Sequence, residues 1–289
     1  MSIFRQIIML SAAAGGVLLG SVASAVEFAA QVISYDSGGV GGAYTDGNSA
    51  LGAPDGLTGS SPYTNVLSHF SAAYNADQIV QFGATGHLTL QLSHYAEIGT
   101  GLEIGVLENA GLSDNAWPSQ VTTDPVDYFG ANTAKIEVSQ NGQDWFYLNS
   151  GDPIDLSMPG NYYTNAGAYD PESPVSPTLA DWGKPIAPMS SELDNKTYAE
   201  LVTLYDGSGG GTWLDLSPVG LANGLTKVGW IRFSEPGGPD TTLEIDAVFI
   251  SSTAVGAPVP EPASGLLLAL GTFAAMFVGR RRPSRNQGR

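Results

Sequence analysis

The chain has 289 residues, with 28 acidic and 11 basic side chains, a formal net charge of −17 and no cysteine. Without cysteine, disulfides, zinc–thiolate centres and thiol catalysis are excluded. The negative charge argues against nucleic acid as a partner, because a phosphate backbone recruits clustered Lys and Arg. Hydrophobic residues make up 43% of the chain, so it is long and apolar enough to fold as one large domain or two small ones.

The charge is unevenly distributed. Residues 26 to 260 hold 27 of the 28 acidic residues but 5 of the 11 basic ones, and both ends of the chain are apolar and basic. This division predicts three segments, which are an N-terminal signal at 1–25, an acidic body at 26–257 and a C-terminal signal at 258–289. An acidic body suits cations or neutral ligands better than anions.

The first segment has the pattern of a secretory signal peptide. Arg5 precedes an apolar run from Ile7 to Leu19, and the run is followed by Ala23-Ser24-Ala25, the small-x-small pattern that signal peptidase accepts. A membrane helix fits less well, because the run is short for a hydrocarbon core of about 30 Å. We expect signal peptidase to cleave before Val26.

The last segment has three parts in order. Val259-Pro260-Glu261-Pro262 is followed by Ala263 to Gly279, 17 residues without a charge, and then by Arg280-Arg281-Arg282. The apolar part is at the lower limit for a transmembrane helix, and the arginines would stay cytoplasmic. The prolines cannot continue a helix or a central strand, so the motif stays extended for a processing enzyme. A plain C-terminal anchor is the alternative.

This tail resembles the PEP-CTERM sorting signal of exopolysaccharide-producing Gram-negative bacteria. In that family an exosortase, a membrane-embedded transpeptidase-like protease, cuts the tail. The resemblance implies cleavage close to Pro260–Pro262 after transient anchoring in the inner membrane. It also implies delivery to the cell surface or the extracellular matrix. The extra residues Pro283 to Arg289 lengthen the tail without breaking the pattern.

Short β-branched and aromatic runs separated by turn residues predict a mainly β body, either a sandwich or a jelly roll. The predicted strands are 78–82, 87–93, 102–108, 135–139, 145–148, 212–216, 227–233 and 242–250. Leu88, Leu90 and Leu92 alternate with polar residues, which predicts a strand with one buried face. Asn141-Gly142 predicts a hairpin between the fourth and fifth strands.

One short helix and one long loop are also predicted. Thr197 and Glu200 form a capping box, Leu201 and Leu204 supply an apolar stripe, and Gly207 is placed to end the helix. The stretch from Ser150 to Asn195 is rich in Pro, Asn, Asp and Tyr with little periodicity. We expect it to be a loop excursion from the sandwich rather than a separate domain.

Parts of the body resemble PEP-CTERM surface proteins with a discoidin-like or galactose-binding-like jelly roll. The similar stretches are 49–56, 136–139 with 141–145, 204–207 with 210–212 and 215–217, and 244–248. The resemblance implies a jelly roll for the body. Domains of that family often carry a structural calcium ion.

The sequence lacks the common enzyme signatures, and we predict no catalytic residues. Three histidines, His69, His87 and His94, form no His-Glu-x-x-His zinc pair, and we expect them at the surface or at hairpin ends. No Gly-x-Ser-x-Gly elbow is present, and the Gly-rich run 206–212 lacks the lysine of a phosphate loop. Acidic residues are so abundant that a glycosidase carboxylate pair stays open.

Calcium is the cofactor that the acidic residues suggest. Asp46, Asn48 and Asp55 lie in one Gly-rich segment, and Glu244 and Asp246 share one side of the last predicted strand. Hard oxygen ligands of this kind suit the coordination that calcium prefers. Ordinary solvated turn residues are the alternative.

Loop aromatics suggest a sugar-binding surface. Trp117, Tyr162, Tyr163 and Trp182 fall in loop-like sequence, where flat rings can stack on sugar faces. The same rings could instead pin the loops to the sandwich. We assign Trp145 and Trp230 to the core.

Three functions remain in view. We favour a non-enzymatic surface or matrix protein that binds exopolysaccharide or a related glycan. The alternatives are an acidic structural or spacer protein assembled through calcium, and a hydrolase of matrix polysaccharide.

Overall fold

The computed structural model describes residues 26–59, 66–165, 178–234 and 242–260. The predicted signal peptide, the residues Glu261, Pro262 and Arg280–Arg282, and the predicted C-terminal transmembrane helix lie outside these ranges. Within the described ranges, no helix is long and apolar enough to cross a membrane.

The described residues form thirteen strands and two short α-helices, so the mainly β prediction is confirmed. The strands are β1 (Glu27–Asp36), β2 (Val80–Gly83), β3 (His87–Glu97), β4 (Ile104–Glu108), β5 (Gly111–Leu112), β6 (Tyr128–Phe129), β7 (Thr133–Ser139), β8 (Phe146–Tyr147), β9 (Ile154–Asp155), β10 (Thr212–Leu214), β11 (Lys227–Ser234), β12 (Thr242–Ile250) and β13 (Val255–Pro258). The helices are α1 (Tyr198–Tyr205) and α2 (Ser217–Asn223).

Two antiparallel layers enclose the main core. One layer contains β10, β4, β12 and β2, and the other contains β1, β3, β11, β7 and β8. Strand β1 belongs to both, since Glu27 and Phe28 pair with β12 whereas Ala29 to Asp36 pair with β3. Apolar side chains from both layers are buried in one cluster, including Leu88, Leu90, Leu92, Ile136, Val138, Ile231, Ile104, Val106, Ile245 and Val248.

A second apolar cluster covers the outer face of the first layer. Trp182, Leu201 and Tyr205 pack there with Phe249 of β12. Gly105 of β4 leaves room for the Phe249 ring, because a β-carbon at this position would lie 1.9 Å from the ring. The described parts of the 150–195 stretch therefore lie against the sheet as a covering loop.

Three local predictions are confirmed. Strand β12 has the predicted bounds, Thr242–Ile250. The Asn141-Gly142 turn joins β7 to β8, with Val138 opposite Phe146. Helix α1 begins with the predicted capping box between Thr197 and Glu200.

Other predictions need correction. Strand β3 has two buried faces rather than one, since Thr89 and Gln91 are also buried. On that second face the Arg232 side chain donates to the Thr89 hydroxyl, and the Gln91 amide donates to the Pro260 carbonyl. Helix α1 ends at Tyr205, and its left-handed C-cap is Asp206, one residue before Gly207. Helix α2 was not predicted, because its seven residues include proline and glycine.

His69 is buried rather than at the surface, so the prediction for this histidine was wrong. The side chain is 0% exposed and lies edge-on to Tyr205, with ring centroids 4.2 Å apart, and to Tyr198 at 5.6 Å. Neither ring nitrogen has a hydrogen-bond partner among the described residues. Burial lowers the pKa of His69 to about 3, so the imidazole is neutral in the folded protein at physiological pH.

We predict that His69 weakens the fold in mild acid. Below its unfolded pKa of about 6.5, the unfolded chain binds a proton that the folded chain refuses, so this group removes about 1.4 kcal/mol of stability per pH unit. Urea unfolding at pH 7 and pH 5 should show a smaller loss for His69→Phe than for the parent, by about 2 kcal/mol. The half-buried His87 provides the control, and His87→Phe should retain the parental loss. Equal losses for the parent and His69→Phe would contradict the prediction.

Candidate functional site: a cleft and two groups of carboxylates

A cleft of about 840 Å³ opens between the β7–β8 hairpin and α2. It is lined by Trp145, Phe146, Tyr147, Leu148, Asn149, Ser150, Pro153, Ile154, Asp155, Trp213, Leu214, Asp215, Pro218, Val219, Ala222 and Asn223. Tyr147, one of these residues, is 50% exposed, so part of an aromatic side chain is accessible to a ligand. Ligand sites commonly combine such apolar walls with a few polar groups.

The turn that follows β8 is backbone-strained where it lines the cleft. Asn149 and Ser150 both adopt left-handed conformations, with φ of 47° and 55°, which cost side-chain-bearing residues energy. Both residues are exposed, and strain of this kind is concentrated at ligand sites. The turn therefore places Asn149 and Ser150, an amide and a hydroxyl residue, in the same cleft lining as Tyr147.

The charges of the cleft favour neutral or cationic ligands. Asp155 and Asp215 are among the lining residues, and no lining residue that the structure describes is Lys, Arg or His. Each aspartate also stabilises a local turn: Asp155 accepts a hydrogen bond from the Ser157 N–H at 2.9 Å, and Asp215 accepts one from the Ser217 N–H at 2.8 Å. Anionic polymers lack a partner charge here.

The four predicted sugar-binding aromatics do not form one surface. Trp182 is 7% exposed and packs on Phe249 with centroids 5.5 Å apart, so its faces are covered. Tyr162 and Tyr163 contact each other edge-on at 5.0 Å and are half-buried. Trp117 is 69% exposed. The cleft beside Tyr147 was not predicted, because its lining comes from segments that are far apart in the sequence. Its one local signal is the turn that follows the hairpin.

The five predicted calcium ligands separate into three places. Asp46 caps a short 3₁₀ turn, accepting hydrogen bonds from the backbone N–H and the side-chain amide of Asn48 at 2.9 and 2.8 Å. Asp55 lies near Asp246. Glu244 instead accepts a hydrogen bond from the Asn109 amide at 2.7 Å.

Asp246 is a buried carboxylate whose charged neighbour is another acid. It is 5% exposed and lies where the β12–β4 register shifts, between Ile245 and Ala247. Burial raises the pKa of Asp246 well above its ordinary value, and the charge of Asp55 adds to the rise. A cation bound between the two carboxylates would remove this penalty.

Glu108, at the end of β4, has a similar environment. It is 1% exposed, and its Oε2 accepts a hydrogen bond from the Asn132 N–H at 3.0 Å. Its Oε1 and the Oδ1 of Asn109 are buried without partners among the described residues. Burial raises the pKa of Glu108 to about 8, and the carboxylates of Glu244 and Asp155 contribute to the rise.

Glu103 shows how a buried carboxylate is normally satisfied. It is 2% exposed, and its two oxygens accept hydrogen bonds from the backbone N–H groups of Gly99 and Leu216, at 2.9 and 2.8 Å. Glu108 has one such bond and two acidic neighbours. Among the described residues, no three Asp, Glu or His side chains converge closely enough to enclose a metal by themselves, so any calcium ion would also need amide, backbone or water oxygens.

Of the predicted sorting residues, two lie in the described fold. Val259 follows β13 and is 8% exposed, and Pro260 is exposed beside it. The cleft and the carboxylates are thus parts of a body to which the beginning of the sorting motif is directly attached.

The comparison with known families identifies the C-terminal signal. Residues 258–282 match the family described as the PEP-CTERM protein-sorting motif. No curated protein matches the chain. The motif supports an exported exosortase substrate that is anchored transiently in the membrane before release at the cell surface.

We predict opposite effects of two Glu→Gln substitutions in calcium-free buffer at pH 7. Glu108→Gln should raise the free energy of unfolding by about 2 kcal/mol, because folding no longer requires protonation of a carboxylate that is ionised in the unfolded chain. Glu103→Gln should lower it by about 1–2 kcal/mol, because an NH₂ group would face a backbone N–H. Urea unfolding with EGTA measures both values, and destabilisation of both variants would show that Glu108 is as well satisfied as Glu103.

Proposed function

We propose that this protein is a non-enzymatic surface or matrix component of a Gram-negative bacterium that binds a neutral exopolysaccharide or related glycan. Export and processing by an exosortase are supported by the sorting motif at 258–282. We further propose that signal peptidase removes residues 1–25 and that the β-sandwich belongs to the jelly-roll domains that the sequence resembles.

The cleft beside Tyr147 is the observation that carries glycan binding. A half-exposed ring can stack on the apolar face of a sugar, and the side chains of Asn149, Ser150 and Asn223 can exchange hydrogen bonds with hydroxyl groups. The acidic lining and the excess of acidic residues in the body argue for an uncharged polymer. The volume of the cleft is sufficient for a short stretch of a sugar chain.

A binding role fits the cleft better than hydrolysis does. A glycosidase needs one carboxyl group kept protonated next to the bond that breaks. Glu108 has a raised pKa, but it is 1% exposed and faces away from solvent. The carboxylates that do line the cleft accept hydrogen bonds within their own turns.

We predict that Tyr147→Ala lowers the affinity for the host's own exopolysaccharide about ten-fold, because stacking on the ring is lost. Trp117→Ala removes a more exposed ring outside the cleft and should leave binding unchanged. Retention on immobilised polymer measures both, and reducing-sugar release from the same polymer tests the hydrolase alternative. Equal retention of Tyr147→Ala and the parent would remove the cleft from this proposal.

Calcium-dependent assembly or stabilisation is the second candidate function. It is favoured by Asp246, which is buried next to Asp55, and by Glu108, whose Oε1 is buried without a partner among the described residues. When bound, calcium would supply positive charge at carboxylates that otherwise repel one another. Asp55 and Asp246 would hold one ion, and Glu108, Asn109 and Glu244 offer oxygens for another.

We predict that calcium raises the melting temperature of the purified protein, with a gain of about 2.7 kcal/mol at 100 times the dissociation constant. Asp246→Asn should lose most of this gain, because one of the two interacting carboxylates is neutralised. Asp77→Asn, at an exposed aspartate outside both groups, should retain it. A parent protein whose melting temperature is the same in EGTA and in excess calcium would contradict the prediction.

A further inference from the structure

The sorting motif begins inside the folded body. Strand β13 pairs with β3, placing Val255 opposite Ala96 and Pro258 opposite His94. The Val259 N–H then donates to the Ser93 carbonyl oxygen at 3.2 Å, and the Gln91 side-chain amide donates to the Pro260 carbonyl oxygen at 3.2 Å. Because the matched motif starts at residue 258, its first three residues are bound to β3.

This docked segment is packed as well as hydrogen-bonded. The Val259 side chain covers Gly229 of β11, since a β-carbon on Gly229 would lie 3.3 Å from Val259 Cγ2. Gln91, which holds Pro260, is itself 4% exposed. Val259 is therefore buried, and Pro260 is held by one hydrogen bond, at the edge of β3 that β1 leaves free beyond Leu92.

The segment is nevertheless bound weakly compared with the central strands. Pro258 and Pro260 have no N–H to donate, and among the described residues the four-residue β13 pairs with β3 alone. A short edge strand of this kind opens locally at a smaller free-energy cost than the whole fold.

A processing enzyme and β3 compete for the same backbone groups. Proteins that bind an extended peptide do so through its main-chain N–H and C=O groups, and the Val259 N–H and the Pro260 C=O are already bonded to the body. Docking also limits how far the body can lie from the apolar segment that begins at Ala263. The three residue steps from Pro260 to Ala263 span at most about 10 Å. Detachment of residues 255–260 would add about 20 Å.

We propose that docking on β3 protects the sorting motif, and that the processing enzyme acts on chains in which β13 has detached. The opening of β13 then sets an upper limit on the rate of processing. This inference rests on exosortase processing at the motif, and it adds a partner site on the body, which is the edge of β3 from Ser93 to Glu97 together with the Gln91 side chain. This site binds the substrate segment before the enzyme does.

A disulfide lock tests the inference in a chain that has no native cysteine. Ala96 and Val255 are directly opposite each other, next to the hydrogen-bonded pair of Glu97 and Ala254. They therefore form a narrow, non-hydrogen-bonded pair of the kind that a disulfide can bridge. In exported full-length Ala96→Cys/Val255→Cys, oxidation should slow processing at least about ten-fold relative to the reduced protein.

A second lock is the matched control. Lys135→Cys/Ser234→Cys joins β7 to β11 at a paired position far along the sheet from β13, and its processing should be the same before and after reduction. Equal rates for oxidised and reduced Ala96→Cys/Val255→Cys would overturn the inference, as would equal slowing by the two locks.

Loosening the docked segment should have the opposite effect. Gln91→Ala removes the bond to Pro260 and should speed processing about five-fold, together with a loss of hydrogen-exchange protection at the Val259 amide. Gln81→Ala removes another buried amide, one that donates to the Gly41 carbonyl, and should change neither reading. If Gln91→Ala and Gln81→Ala speed processing equally, the cause is general destabilisation of the fold, and the inference is overturned.

Glu261→Ala separates this inference from the proposed processing itself. If processing of Glu261→Ala stops, the motif is the signal, and the lock experiment decides whether docking limits it. If Glu261→Ala is processed like the parent, processing at this motif fails, and the inference about β13 fails with it even if the Val259 amide is protected.

Discussion

The apolar interface between the two sheet layers is the constraint on which the rest of the structure depends. With no cysteine in the chain, stability must come from burial, and Leu88, Leu90 and Leu92 of β3 are buried in one cluster with the inner face of β12. Each such side chain contributes roughly 1.5–3 kcal/mol. The first two residues of β1 pair with β12 and the rest with β3, so a single strand fixes the layers relative to each other. The cleft, the buried carboxylates and the docked tail segment are all arranged around this frame.

The buried acids show how an acidic protein tolerates charge in such a core. Each carboxylate oxygen of Glu103 accepts a hydrogen bond from a backbone N–H, and the side chain links the start of β4 to the residues before α2. Glu108 and Asp246 have acidic neighbours instead. Because a buried carboxylate is either protonated, paired or bound to a cation, these two positions make the stability of the fold responsive to its ionic surroundings.

The sequence predicted those elements whose signal is local. The Thr197–Glu200 capping box, the Asn141-Gly142 hairpin and the β-branched and aromatic run of β12 each depend on residues close in the chain. The elements that were missed depend on distant partners. β13 contains proline and forms because β3 offers an edge, and His69 is buried because Tyr198 and Tyr205 close over it.

The candidate site divides in the same way. Asp55 and Asp246, far apart in the sequence, were predicted as ligands of one calcium ion, and the charge of Asp55 does act on Asp246, whereas Glu244 bonds to Asn109. The unpartnered oxygen of Glu108 could not be predicted from the sequence, because it depends on which hydrogen-bond donors the described fold brings close to it. Trp182 is an aromatic residue in loop-like sequence and so suggested ligand binding, but its ring packs against Phe249 and Gly209.

The contacts around Ser93 and His94 also determine how the body is presented. Glu27 at the start of β1 accepts a hydrogen bond from Ser93 and lies 2.9 Å from the His94 imidazole, and Val259 at the other end bonds to Ser93. The chain therefore enters and leaves the folded body at the same corner. Anything attached next to Glu27 or next to Val259 would therefore hold the body at the same corner.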